Sequence, residues 1–158
     1  MREVKICTVF TEYQNHELPA TDTNLVARAQ EAARNAYAPY SQFYVGAALL
    51  LDDGRVVTGN NQENAAYPSG LCAERVALFA AGAQGGSQEI AAIAIAAYNA
   101  SGFTPKPVSP CGACRQVLLE YEKRQQKPIR IILSGAGNSY IAPSAVSLMP
   151  LYFDSSFL

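Results

Sequence analysis

Two short motifs supply residues that can form a zinc site. The motif C-A-E spans residues 72–74, and P-C-G-A-C spans residues 110–114. Cys111 and Cys114 are three residues apart at the start of a predicted helix, so both sulfur atoms project from its first turn and can reach one ion. Cys72 must come from another helix. Three thiolates are soft ligands that suit Zn²⁺, and the pattern therefore predicts one zinc ion per subunit.

The number of ligands favours a catalytic zinc ion over a structural one. A structural zinc site usually has four protein ligands, whereas a catalytic site has three and keeps one position for water. Cys7 and the only histidine, His16, lie far from both motifs in the sequence, and Cys7 is expected to be a small buried residue of an N-terminal strand. A noncatalytic domain with a closed zinc site, completed by Cys7 or His16, is the alternative.

Glu74 is the only acid inside either cysteine motif. A carboxylate beside a zinc ion can take a proton from water and pass it to a substrate, so Glu74 is predicted to be the catalytic proton shuttle. Three thiolates give the zinc site a net negative charge, which opposes the activation of water. Two helix N-termini and Arg75, which can donate hydrogen bonds to a cysteine sulfur, are expected to restore positive potential. A thioredoxin-like redox pair at residues 111–114 would leave Cys72 and Glu74 unexplained.

Composition and charge indicate one domain that acts on a small molecule. The chain has 158 residues, of which 49% are hydrophobic and only 16% are charged, and this balance favours a surface partly covered by other subunits. A net charge of −1 argues against a groove for a nucleic-acid polymer. No apolar run approaches the roughly 20 residues that span a bilayer, and no signal-peptide pattern is present, so a cytoplasmic protein without a membrane partner is expected.

The remaining sequence predicts the elements that carry these motifs. Residues 1–22 are interpreted as an N-terminal extension and residues 23–158 as the catalytic domain, with strand-like alternation over residues 4–10. Hydrophobic periodicity predicts helices over residues 23–37, 72–83 and about 114–124. Continuous or alternating apolar runs predict strands over residues 43–51, 55–60, 90–97 and 129–133, and a last edge strand near residue 140.

These elements predict an α/β fold with a mixed five-stranded sheet, parallel at its centre, and helices on both faces. Asp22 or Thr23 is expected to cap the first helix. Glu122 is placed among the charged residues on the outer side of the third helix. Because Cys72 and Glu74 are two residues apart, both can reach a metal only if Cys72 lies at the junction between loop and helix.

Beyond the metal motifs, the chain resembles the small cytidine deaminases of the three-cysteine zinc type, from about Asn24 to Phe153. The stretch Y-A-P-Y-S-Q-F-Y-V-G-A-A at residues 37–48 resembles the block whose phenylalanine lines the family's base pocket, which implies that role for Phe43. The stretch N-Q-E-N-A-A-Y at residues 61–67 resembles the family's ribose-binding stretch. It implies that Asn61 and Glu63, which would share one face of a strand, bind the sugar hydroxyls. Gln62 departs from the aliphatic residue usual there.

The stretch L-M-P-L-Y-F at residues 148–153 resembles the family's terminal motif, whose phenylalanine reaches a neighbouring subunit's active site in a homotetramer. Phe153 is the candidate for that role, with Tyr152 next. Backbone groups near Ala73 and Cys111 are expected to contact the polar edge of the base.

The resemblance implies the three-layer cytidine deaminase-like fold and zinc-dependent hydrolytic deamination. Its substrates would be cytidine and deoxycytidine, converted to uridine and deoxyuridine with release of ammonia in pyrimidine salvage. The alternatives within the same chemistry are a blasticidin-type or other aminated-heterocycle deaminase, and a deaminase that acts on single-stranded RNA or DNA.

Overall fold

The computed structural model describes residues 1–85 and 89–158, which contain seven strands and three α-helices. The strands are β1 Thr11–Gln14, β2 Tyr44–Leu51, β3 Val56–Asn60, β4 Ile90–Asn99, β5 Gly102–Phe103, β6 Arg130–Ser134 and β7 Asn138–Ala142. The helices are α1 Ala20–Ala33, α2 Ala73–Ala83 and α3 Gly112–Gln125.

The strands form one mixed sheet in the order β1-β7-β6-β4-β2-β3, and β5 pairs with the end of β4. β4 and β6 are parallel, whereas the other pairs are antiparallel. The predicted mixed sheet with a parallel centre is therefore confirmed. The predicted number of strands is wrong, because the sheet has seven strands and not five. β5 has only two residues, and β1 is mostly polar and exposed, so neither has an apolar pattern that would reveal it.

The first strand begins further along the chain than the alternation of apolar residues 4–10 predicts. Residues 4–10 form no strand, and β1 begins at Thr11. β1 pairs antiparallel with β7 along its whole length, so the predicted edge position of β7 is wrong. The division between residues 1–22 and 23–158 falls inside α1, which begins at Ala20.

Asp22 lies inside α1 instead of capping it, because the helix begins at Ala20 and not at residue 23. Asp22 is only 1% exposed, and both of its carboxylate oxygens accept hydrogen bonds from the Arg130 guanidinium of β6. Removing one partner of such a pair leaves a buried charge, so the contact fixes α1 against the sheet.

The sheet separates two helical layers. α1 packs on one face, where Leu25 and Ala29 lie in one apolar cluster with Ala94 of β4. α2 and α3 cover the other face, where Leu78 and Leu118 share a second cluster with the sheet. This arrangement confirms the prediction of helices on both faces. Among residues 1–85 and 89–158, no helix is long and apolar enough to cross a membrane.

Two glycines allow helices to lie directly on the sheet. A Cβ atom added at Gly46 would lie 2.0 Å from the carbonyl oxygen of Ala29 in α1. At Gly59 it would lie 2.4 Å from the backbone nitrogen of Ala77 in α2. Because both neighbouring atoms belong to helix backbone, neither position accepts a side chain without displacing its helix. α2 follows Cys72 immediately, so Gly59 sets how deeply the first cysteine motif lies.

Glu122 points inward, contrary to its predicted place on the outer side of α3. It is 7% exposed and accepts hydrogen bonds from the backbone amides of Ile129 and Ala145, each at 2.7 Å. The Ser144 hydroxyl donates a third bond at 2.5 Å. These donors lie outside α3, 7 to 23 residues from Glu122, so the charge pattern of the helix could not reveal them. Glu122 thereby joins α3 to the segments before β6 and after β7.

We expect Glu122→Ala to lower the free energy of unfolding by about 3 kcal/mol, because it leaves buried donors without an acceptor. Urea denaturation of the zinc-loaded protein measures the change. Glu120→Ala is the matched control on an exposed position of the same helix, and its effect should stay within about 0.5 kcal/mol. Equal effects of the two substitutions would contradict the structural role of Glu122.

Candidate metal centre and substrate cavity

The three predicted cysteine ligands meet at the N-termini of two helices. Cys72 is the N-cap residue of α2, Cys111 is the N-cap residue of α3, and Cys114 lies in the first turn of α3. Their sulfur atoms all lie within 4.8 Å of one another, and those of Cys72 and Cys111 are 3.8 Å apart. Sulfur atoms bound at about 2.3 Å to a tetrahedral zinc ion are about 3.8 Å from each other. The cluster therefore fits zinc.

The other candidate ligands do not join this cluster. All four cysteines are free thiols, which agrees with metal binding and not with a disulfide. Within the part of the chain that the structure describes, the only group of potential ligands close enough to share an ion consists of Cys72, Cys111 and Cys114. Cys7 is exposed, so its expected burial is wrong. Neither Cys7 nor His16 supplies the fourth ligand that a closed structural site requires.

Glu74 occupies the first turn of α2 beside the cluster and is 4% exposed. Cys72 has an extended backbone at the helix junction, as its spacing from Glu74 predicts, and both residues line one cavity. Burial raises the pKa of the Glu74 carboxyl above its ordinary value, and the charge of Cys72 acts in the same direction. Ala73 between them is fully buried in the core and is absent from the described lining of the cavity, unlike its neighbours Cys72 and Glu74.

Arg75 supplies positive charge to the sulfur cluster. Its Nη2 atom lies 3.7 Å from the sulfur of Cys72. A hydrogen bond with Cys114 and a second one from Arg75 lower the pKa of Cys72 to about 5, although burial opposes them. The hydrogen bond with Cys72, together with burial, raises the pKa of Cys114. The guanidinium and the two helix N-termini therefore stabilise thiolate at this position.

A cavity of about 680 Å³ lies against the cluster. Its lining includes the predicted residues Phe43, Asn61, Glu63 and Arg75, together with the metal-site residues Cys72, Glu74 and Cys111. The volume is within the range of small-molecule sites, about 300–1,000 Å³. The structure thus brings the two cysteine motifs and two of the three family-like stretches, residues 37–48 and 61–67, to one cavity.

Several lining residues are absent from the sequence prediction. The rings of Tyr40 and Tyr67 are in edge contact at 6.1 Å, and both residues lie in stretches already noted for their resemblance. Their position in these stretches was the available signal. Val108 and Ser109 also line the cavity. They precede the second cysteine motif, but no spacing or residue type distinguishes them in the sequence.

Asn61 and Glu63 line the cavity but do not lie in a strand. β3 ends at Asn60, and an isolated bridge at Gln62 continues the extended chain beyond it. The side chains of Asn61 and Glu63 also form hydrogen bonds with the backbone of residues 40–45. Both residues therefore lie at the cavity, but outside the strand that was expected to carry them.

Phe153 and Tyr152 are absent from the described lining of the cavity in their own chain. Phe153 is 58% exposed and stacks on Phe157 with ring centroids 5.6 Å apart. The hydroxyl of Tyr152 accepts a hydrogen bond from Lys123 at 3.2 Å. The aromatic residues of the C-terminal tail thus lie on the surface of the single chain.

Comparisons with known proteins agree with the resemblance in the motifs. Residues 19–127 match the family model for the cytidine and deoxycytidylate deaminase zinc-binding region. The cytidine deaminase of Halalkalibacterium halodurans is 51% identical over 96 residues, which are 61% of this chain and 68% of that protein. The cytidine deaminase of Mycobacterium tuberculosis is 47% identical over 105 residues, which are 66% of this chain and 74% of that protein.

Solved structures give the same result for the fold. The crystal structure of cytidine deaminase from Burkholderia pseudomallei has a TM-score of 0.72 at 41% identity, covering 83% of this chain and 98% of that chain. The Mycobacterium tuberculosis structure has a TM-score of 0.65 at 37% identity, covering 84% of this chain and 96% of that chain. The predicted fold class is confirmed, and the chain belongs to the cytidine and deoxycytidylate deaminase family.

Proposed function

We propose that this chain is a zinc-dependent enzyme that hydrolyses cytidine and deoxycytidine to uridine and deoxyuridine with release of ammonia. The observation that carries the proposal is a cluster of three thiols beside one buried carboxyl, Glu74, at a cavity that Phe43, Asn61 and Glu63 also line. Membership of the deaminase family supports it.

One zinc ion per subunit would be held by Cys72, Cys111 and Cys114, the three sulfur donors whose separation suits it. When bound, zinc supplies the Lewis acidity that makes water nucleophilic near neutral pH. Arg75 and the N-termini of α2 and α3 offset the negative charge of the three thiolates.

Glu74 is the residue that we propose to move protons. Its carboxylate accepts a proton from the water that attacks the ring carbon carrying the amino group, and it gives a proton to the adjacent ring nitrogen. The same carboxylate then takes the second proton of that water and delivers it to the amine. The bond between carbon and the amino nitrogen breaks, ammonia leaves, and the oxygen of the water becomes the new carbonyl oxygen.

The remaining lining residues would hold the nucleoside. Phe43 provides an apolar wall for the base, and the carboxamide of Asn61 and the carboxylate of Glu63 suit hydroxyl groups of a sugar. Backbone groups of Ala73 and Cys111 would contact the polar edge of the base. Because the sugar contacts of the family do not depend on a 2′-hydroxyl, deoxycytidine is included among the proposed substrates.

A homotetramer with shared active sites would give the exposed C-terminal tail a role. Large apolar side chains of this tail are exposed in the single chain, namely Leu151, Phe153, Phe157 and Leu158. Exposed apolar patches of this kind mark interaction surfaces. In this arrangement Phe153 reaches the cavity of a neighbouring copy, with Tyr152 as the second candidate.

An ultraviolet assay of cytidine conversion, with the zinc content measured on the same purified protein, tests the proposed function. We expect turnover of cytidine and deoxycytidine with about one zinc ion per chain, and a clear preference for cytidine over free cytosine. Zinc-loaded protein that leaves cytidine unchanged would reject the proposal. Preferential turnover of blasticidin S would identify the alternative deaminase type.

A further inference from the structure

Residues 40–45, which carry Phe43, are held by the two side chains proposed to bind the sugar. We infer that Asn61 and Glu63 are positioning residues that fix the Phe43 wall of the base pocket, in addition to their contact with the sugar. This inference rests on the proposed function, because it assigns the base and the sugar of one substrate to neighbouring parts of the cavity.

Asn61 bonds to the backbone on both sides of Tyr44. The amide of Val45 donates to Oδ1 of Asn61 at 2.8 Å, and Nδ2 of Asn61 donates to the carbonyl oxygen of Phe43 at 2.9 Å. The backbone nitrogen of Asn61 also donates to the carbonyl oxygen of Val45 at 3.1 Å. Both polar atoms of the carboxamide are therefore engaged, and the main chain of Phe43 cannot move without breaking one of these bonds.

Glu63 holds the other end of the same segment. Its Oε2 atom accepts hydrogen bonds from the backbone amides of Tyr40 at 2.9 Å and Ser41 at 3.2 Å. A hydrogen bond from the Ser41 side chain, followed by these two backbone bonds, keeps the pKa of Glu63 below its ordinary value, although burial opposes them. The two backbone amides both bind Oε2, so a sugar hydroxyl would approach Oε1.

Gln42, which lies between the backbone bound by Glu63 and the backbone bound by Asn61, has an unfavourable conformation. Gln42 has φ +52°, and among the described residues only Gln126 shares a positive φ without being glycine. The Ser41 hydroxyl accepts a hydrogen bond from the amide of Phe43 at 3.1 Å across this turn. A residue in the left-handed conformation persists only where the surrounding structure holds it there, and such residues cluster at ligand clamps. The hydrogen bonds of Glu63 before Gln42 and of Asn61 after it hold this conformation.

The two roles of Asn61 and Glu63 predict different effects of their substitution on substrates with and without sugar hydroxyls. A residue that only binds sugar hydroxyls matters only for a substrate that has them. A residue that also positions Phe43 matters for any substrate whose base packs against this wall. The nucleoside 2′,3′-dideoxycytidine keeps the base but lacks the 2′ and 3′ hydroxyls of the sugar. It therefore separates the two roles.

Kinetic constants of Asn61→Ala and Glu63→Ala with cytidine and with 2′,3′-dideoxycytidine test the inference. We expect kcat/KM for the dideoxynucleoside to fall about tenfold in each variant, with a larger loss for cytidine. The loss should fall mainly on KM, because a displaced wall weakens ground-state and transition-state binding alike. Variants that turn over dideoxycytidine as well as the unaltered protein would overturn the positioning role.

Amide hydrogen exchange in the zinc-loaded protein tests the positioning independently of turnover. We expect the amides of Tyr40 and Ser41 to exchange about tenfold faster in Glu63→Ala, and the amide of Val45 to do so in Asn61→Ala. Unchanged exchange at these amides would overturn the inference. Accelerated exchange in a protein without cytidine turnover would reject the proposed function and keep the positioning role.

Asn64→Ala is the matched control in the same stretch. Asn64 also lines the cavity, but its side chain accepts a hydrogen bond from the Ala66 amide at 2.8 Å and none from residues 40–45. We expect it to leave exchange at residues 40–45 unchanged. If Asn61→Ala does not fold, Asn61→Asp keeps the acceptor for Val45 and loses only the donor to Phe43, so the same two measurements apply.

Discussion

Replacing Glu74 by glutamine should lower kcat for cytidine about a thousandfold or more while zinc and fold are kept. Glutamine has the size and shape of glutamate, but its amide cannot accept and release a proton, and general acid–base catalysis contributes about 10²–10⁴-fold. Glu74 is buried beside the cysteine cluster but is not part of the group that can share an ion. Steady-state rates, zinc content and a melting curve on the same preparation measure the three quantities.

The control for this substitution is Glu120→Gln, which makes the same chemical change at an exposed position of α3. It should keep full activity. A Glu74→Gln protein with more than about a tenth of the original rate would contradict the proton-shuttle role. A loss of zinc in that variant would instead show that the carboxylate helps to bind the metal.

The second large effect is expected from Cys114→Ser. Cys114 is fully buried, and its sulfur completes the cluster with Cys72 and Cys111. Serine replaces a soft thiolate by a hydroxyl, so we expect zinc affinity to fall at least about a hundredfold and activity to disappear with the metal. Because a zinc ion held by these cysteines would join the N-termini of α2 and α3, its loss should also lower the melting temperature.

Cys7→Ser is the matched control, since Cys7 is a free thiol exposed outside the cluster. We expect this variant to retain zinc and turnover. Dialysis against a chelator followed by measurement of bound zinc compares the two variants directly. Retention of zinc by Cys114→Ser would contradict the proposed metal site, and loss of zinc from Cys7→Ser would favour the closed four-ligand alternative.

The cysteine cluster was predictable because each of its two motifs has a local geometry, although the contact between the two helices is not local. Cys111 and Cys114 share one helical turn, and Cys72 needs only a helix junction to bring Glu74 to the same site. The β2–β3 hairpin is local in the same sense, since Gly54 adopts φ +84° in the turn between its strands. Spacing along a helix or a turn decides such features, and a single sequence contains it.

The remaining features depend on partners in other elements of the fold. The local pattern places Glu122 on a charged helix face, whereas the amides of Ile129 and Ala145, outside α3, bind its carboxylate. Asp22 has the sequence position of a helix cap, but its buried carboxylate pairs with Arg130. Alternation over residues 4–10 predicts a strand, whereas pairing with β7 places β1 further on. Tertiary contacts override local propensity in each case.

The position of β1 affects how the sheet is protected from aggregation. An uncovered strand offers a row of free amides and carbonyls to another molecule, and such rows are templates for aggregation. β1 occupies that row on β7, and its own residues are largely polar and exposed. Any shortening of the chain that removed β1 would therefore replace this polar edge strand by β7 as the edge of the sheet, although the cysteine cluster and the cavity lie elsewhere.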